Sequence, residues 1–149
     1  IQSILNPITD RYFGYCKALM EHHVPVREDW IVKDRDEENG IIGLEHKFVL
    51  PKEMPTAFVC NNDVSAYALI KALEENGYRV PEDVSVIGFD GTALAEYYNP
   101  KLATIKQQYQ TLATRSVEIL FGQIELKRSQ IHEIVPFELA SGESIQKIR

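Results

Sequence analysis

The chain has 149 residues, 44% of them hydrophobic and 26% charged, enough apolar content for one domain with a core of its own and too much for a disordered or fibrous protein. Its formal net charge of −6 and the scatter of its 16 basic residues exclude the concentrated positive field that binding to a phosphate backbone needs, so this chain alone is not expected to hold DNA. Two cysteines, Cys16 and Cys60, lack metal-ligand spacing and are too sparse for a disulfide framework; buried free thiols in a reducing compartment are expected.

No apolar run reaches the roughly 20 residues of a membrane span, and the N-terminus lacks the pattern of a signal peptide. The first residue is Ile1, which reads as a piece excised from something longer.

In chain order, Thr9 or Asp10 is expected to cap a first helix running to about His23, with Phe13, Cys16, Leu19 and Met20 on one face. Val24 and Pro25 end it, because proline restricts the residue before it and donates nothing to the helical ladder. Trp30, Ile31 and Val32 read as a short strand. Residues 33–55 carry a weak signal: Asp34 to Glu38 as a solvated turn or helix start, Ile41 and Ile42 as a short helix, Phe48 to Leu50 as an extended run, and a loop bracketed by Pro51 and Pro55.

Residues 57–60 form a continuous apolar strand, as expected where helices cover both faces of a sheet. Asn62 or Asp63 caps the next helix, in which Ala66, Tyr67, Ile70 and Leu73 repeat at helical spacing, and Asn76-Gly77 ends it. Pro81-Glu82-Asp83 turns the chain into a strand over residues 84–87, which leads to a polar tip at Asp90. Another strand is expected over residues 102–105, then a helix from about Tyr109 to Gln123 with Leu112, Ala113, Ser116, Leu120 and Ile124 along one side. Residues 131–139 read as a last strand, with Ile131, Val135 and Phe137 as its apolar positions and Pro136 placing it at an edge. Strands and helices alternating over short connections imply an α/β fold with three layers, a mostly parallel sheet flanked by helices.

Open sheets of this kind bind ligands at the carboxyl ends of their strands. Asn62 offers a donor and an acceptor, Asp90 two acceptors and Arg11 a fork of donors, which together suit a polyhydroxylated molecule. Plainer readings stand beside this: helix capping for Asn62 and above all Asp63, a turn for Asp90 before Gly91, a solvated charge for Arg11, and core or surface aromatics for Trp30 and Tyr109. Enzyme signatures lack their context, since no dinucleotide fingerprint, phosphate-binding loop or nucleophile elbow occurs. His22 and His23 diverge on a helix, and His46 and His132 have no evident partners, so no cofactor or metal is expected.

Four stretches carry a resemblance. They are Arg11-Tyr12-Phe13-Gly14-Tyr15 with Ala18-Leu19, Pro55-Thr56-Ala57 leading to Asn62-Asp63, residues 80–90 ending in Gly88-Phe89-Asp90, and Leu102-Ala103-Thr104-Ile105-Lys106-Gln107. In order and spacing the chain resembles the effector-binding region of LacI/GalR-type bacterial transcription regulators, of the type I periplasmic-binding-protein-like fold. The resemblance implies the C-terminal subdomain over about residues 8–105, a crossing segment over about 106–130 that packs on an absent N-terminal subdomain, and a terminal strand and tail over about 131–149. It also implies that Arg11, Asn62 and Asp90 bind effector hydroxyls, with Gln107 and Tyr109 as further pocket candidates, and that Tyr67 and Tyr98 lie in a homodimer interface.

The function so implied is sensing of a sugar or related small molecule in a cytoplasmic regulator, with DNA contacted only through a headpiece outside this chain and no membrane partner. A sugar-binding component of a transport system and an enzyme on a flavodoxin-like scaffold, with Asp63 or Asp90 as its acid, are the alternatives. A protein or a phosphorylated metabolite as effector is another.

Overall fold

The computed structural model describes residues 7–34, 47–126 and 133–147. Helix α1 spans Pro7–Glu21, β1 Ala57–Val59, α2 Asp63–Glu75, β2 Ser85–Asp90, α3 Leu94–Tyr97, β3 Ala103–Gln107, α4 Tyr109–Leu126 and β4 Phe137–Ala140. They build one open four-stranded sheet in the order β1-β2-β3-β4, flanked by helices. The first three strands are parallel, as short strands linked by helical crossovers should be. β4 runs antiparallel to β3 at the sheet edge, with Pro136 just before its first residue, where a missing backbone donor costs no ladder bond.

The core lies between α2 and β2. Ala66, Tyr67, Leu69, Ile70 and Leu73 of the helix pack with Val84, Val86, Phe58, Val80, Ala95 and Leu102. Asn62 caps α2 by accepting from the Ser65 amide at 2.8 Å. At the other end Gly77, at φ 85°, lets the chain turn back so that its own amide bonds Glu74 O and that of Tyr78 bonds Leu73 O.

Several expectations are corrected. Thr9 and Asp10 do not cap α1; they lie inside it, because the helix already begins at Pro7, whose fixed φ suits a first turn. The segment expected as a strand at Trp30 is instead a 3-10 turn, Glu28–Trp30, and residues 31–34 after it belong to no strand. The Trp30 indole donates to Glu53 O at 2.9 Å, and Arg27 lies over its ring while pairing with Asp29 and Glu53. These contacts hold the tryptophan in a loop rather than a ladder. The last strand is shorter than expected: residues 133–136 are not strand and Ile131 lies outside the described residues, as do residues 35–46 and with them the short helix expected at Ile41 and Ile42.

The C-terminal tail closes the sheet at the end away from the polar tips. Ser144 is fully buried; its hydroxyl donates to Val86 O at 2.7 Å and accepts from the Ala103 amide at 2.9 Å, joining the starts of β2 and β3. Of α4, by contrast, Leu112, Val117, Leu120, Phe121 and Ile124 are exposed.

Candidate functional site

The carboxyl ends of β1, β2 and β3 lie side by side, and side chains at or just beyond them gather around Arg11 and Asp90. From α1 its Nη1 donates to Asn61 O at 2.6 Å and to Asn61 Oδ1 at 3.3 Å, while Nη2 donates to Asp90 Oδ1 at 3.3 Å. The guanidinium lies 3.8 Å from the centroid of the Phe89 ring, so it is held by a face as well as by acceptors. Gln107, the last residue of β3, donates from Nε2 to the same Asp90 oxygen at 2.7 Å. Arg11 and Asp90 keep 26% and 25% of their side-chain surface open, so the pair is fixed by the protein yet reachable from solvent.

Asp90 itself sits at φ 105°, a conformation that a residue with a Cβ rarely adopts. Gly91 follows at φ 68°, and a Cβ there would fall 2.7 Å from the Lys106 Cα, so glycine is required. The loop after Asp90 is tied to α2. Asp63, fully buried, accepts at Oδ2 from the Thr92 amide at 2.6 Å and the Thr92 hydroxyl at 2.8 Å, and at Oδ1 from the Thr104 hydroxyl at 2.5 Å.

Of the residues singled out in the sequence, Arg11, Asp90 and Gln107 are thus joined directly. Asn62 spends its side-chain oxygen on capping α2, and its amide nitrogen is left to donate. Tyr109, half-exposed at the start of α4, has its phenol raised from the usual tyrosine range, first by burial and then by the negative charge of Asp90. Tyr67 is a core residue at 4% exposure whose hydroxyl donates to Leu94 O at 2.9 Å; Tyr98 stacks on it at 3.8 Å and is 40% exposed. The outer tyrosine is therefore the one a partner could touch.

Sequence reasoning missed Asn61, which meets both Arg11 and, at 3.4 Å, Asp34, and Phe89, the ring beneath the guanidinium. It also read Asp63 as a cap, whereas Asn62 alone makes the capping bond and Asp63 turns to the loop. Cys60 is a free thiol pushed up to about 12, first by burial and then by the negative charges of Asp34 and Asp63. Among the described residues no three of His, Cys, Asp and Glu gather to hold a metal, and no helix is long and apolar enough to cross a membrane.

Comparison with known proteins bears on the family and the fold. The family model of the periplasmic binding protein-like domain matches residues 3–145. The HTH-type transcriptional repressor PurR of Pectobacterium carotovorum subsp. carotovorum is 38% identical over 130 residues, 87% of this chain, and the chain spans 38% of that repressor's length. A LacI-type transcription regulator from Bifidobacterium animalis subsp. lactis superposes with a TM-score of 0.80 at 27% identity, over 97% of this chain and 52% of that one. The lac repressor dimer bound to operator and the anti-inducer ONPF superposes with a TM-score of 0.58 at 33% identity, over 61% of this chain and 32% of the repressor. With the family model spanning nearly the whole sequence and regulators among its relatives in both sequence and structure, the chain belongs to the periplasmic binding protein-like domain family and forms part of an effector-binding domain of the LacI/GalR type.

Proposed function

We propose that this chain senses a small-molecule effector for a cytoplasmic, dimeric transcription regulator, and that Arg11, Asn62, Asp90, Gln107 and Tyr109 form one lip of the effector cleft. The observation that carries the reading is the convergence of Arg11 and Gln107 on one oxygen of Asp90 at the strand ends, with that carboxylate partly open to solvent. Asp90 Oδ2 and Gln107 Oε1 remain as acceptors and the Asn62 amide as a donor, a set that meets hydroxyl groups able both to give and to take. A sugar or sugar derivative fits this chemistry, and so does another small molecule of similar polarity.

The matched proteins named as repressors and regulators favour this reading over a transport component or an enzyme on a similar scaffold. DNA would be contacted by a headpiece outside this chain. The exposed apolar side of α4 would pack against the second subdomain, which supplies the opposite lip. Effector held between the two lips would favour one relative orientation of the subdomains and shift the population of DNA-competent dimers. In such a dimer the exposed Tyr98, backed by buried Tyr67, would meet its two-fold mate.

The experiment is a thermal-shift screen of the full-length protein against monosaccharides, disaccharides, sugar phosphates, nucleosides and nucleobases. A compound that raises the midpoint of the wild type should lose its effect on Asp90→Ala, while the variant still unfolds cooperatively. An undiminished shift in that variant would sink the assignment of the lip.

A further inference from the structure

We infer that Asp63 is a positioning residue for this lip: its buried carboxylate, through Thr92 and Thr104, sets the backbone of Asp90 before any effector arrives. The inference rests on the proposed reading only for the purpose of the lip; the positioning itself is a property of this chain.

Asp63 opens α2, where a carboxylate commonly does no more than cap the helix or face its dipole. Here the capping bond is already made by Asn62. The Asp63 carboxylate turns away from the helix and takes three hydrogen bonds, all from residues flanking the polar tip. Thr92 is two residues past Asp90, and both its amide and its hydroxyl end on Oδ2. Thr104 lies in β3 opposite Gly88 of β2, and its hydroxyl serves twice, donating to Asp63 Oδ1 and accepting the Gly91 amide at 3.3 Å. The two amides that follow Asp90 are thus both held by one carboxylate, one directly and one through a threonine.

That arrangement accounts for the φ of 105° at Asp90, since a strained backbone persists only where its surroundings over-determine it. Gly88 completes the device. A Cβ at that position would stand 2.5 Å from Asp63 Oδ1 and 2.7 Å from Leu102 Cδ2, so the carboxylate can come this close to β2 only because glycine is there. Asp90 then points its Oδ1 at Gln107 and Arg11 with no reorganisation left for the effector to drive, which is what a pre-formed first contact requires.

The test uses the full-length protein without added effector, so its outcome does not depend on which compound the lip takes; the Asp90→Ala screen bears on the lip alone. Thr104→Val removes the hydroxyl at nearly constant volume, Thr104→Ser keeps it, and Asp63→Asn removes the charge. Amide hydrogen exchange is followed at Gly91 and Thr92 and, as a reference, at Leu69 and Ile70 inside α2, and the crystal structure of each folded variant is solved. Positioning predicts that Thr104→Val and Asp63→Asn raise exchange at Gly91 and Thr92 by roughly tenfold or more relative to α2. It also predicts that Asp90 leaves the positive-φ region and its contact with Gln107, and that Thr104→Ser behaves as wild type. If Thr104→Val leaves the Asp90 conformation and local exchange unchanged, or speeds the tip and α2 equally through global destabilisation, Asp63 is a packing residue and the inference falls. Failure of Asp63→Asn to fold leaves the threonine pair to decide.

Discussion

Replacing Arg11 by alanine tests the lip through its hub, and the structure sets the size of the effect. The bond to Asn61 O at 2.6 Å is made by a charged donor, for which about 1.5–3 kcal/mol is typical. The contacts to Asn61 Oδ1 and Asp90 Oδ1, both 3.3 Å, are long and add little. Stacking on Phe89 contributes about 0.5–2 kcal/mol in such settings. Against these stand the freed rotamers of a long side chain and the water that re-solvates a group already 26% open. The net loss is about 1–3 kcal/mol, and at about 2–4 °C per kcal/mol for a domain of this size the midpoint should fall by roughly 2–12 °C. Calorimetry of the full-length protein reads it. Arg11→Lys should recover only part, because a single ammonium cannot reproduce the fork that meets Asn61 and Asp90 together. Both variants should lose the shift caused by a compound active on the wild type. An unchanged midpoint in Arg11→Ala together with a retained compound effect would refute the placing of Arg11 at the centre of the site.

The stacked tyrosines give two further predictions. Tyr67 has its phenol raised to about 12, first by burial and then by the Asp63 charge, against about 10 in an unfolded chain. Its contribution to stability is therefore fully present below about pH 10 and is lost as pH rises through about 12; urea titrations across that window should show a shallower alkaline decline in Tyr67→Phe, and identical slopes would contradict the assignment. Tyr98→Ala should weaken self-association of the full-length protein by about 10- to 100-fold in dissociation constant, the cost of a central aromatic anchor, as read by sedimentation at graded concentrations; an unchanged constant would remove Tyr98 from the interface.

What could be read from the sequence follows the range of the interactions involved. Helix α2 and strand β2 were legible because spacing of apolar residues and a Gly77 turn are local signals, each complete within a few residues. Arg11 and Asp90 were legible as candidates from their donors and acceptors, but Gln107 was added only through the resemblance, and the bond between the first two, which joins positions 79 apart, has no local signal. The part of Asp63 was hidden for the same reason: its donors come from 29 and 41 residues away, while its immediate neighbourhood looks like any helix start. Trp30, flanked by Ile31 and Val32, has the composition of a strand, but its indole and the Arg27 beside it find acceptors in a loop at Glu53. Asn61 was passed over for Asn62, although one turns to the guanidinium and its neighbour to the helix.

These ties bear on how an effector could act. The two central strands are fastened by Ser144 where they begin and by Asp63, which holds Thr104 within β3 and Thr92 just past the end of β2. Between them Arg11, Asp90 and Gln107 hold one another, so little of the lip is free to rearrange on binding. A ligand shifts an equilibrium only by the difference in its affinity for the two states. If one lip is the same in both, that difference must come from what the opposite lip adds on closing. The exposed apolar side of α4 then gains a reason: on the proposed reading it lies where the second subdomain is carried toward or away from a fixed set of acceptors, and the energy of the switch resides in that movement rather than in the strand tips.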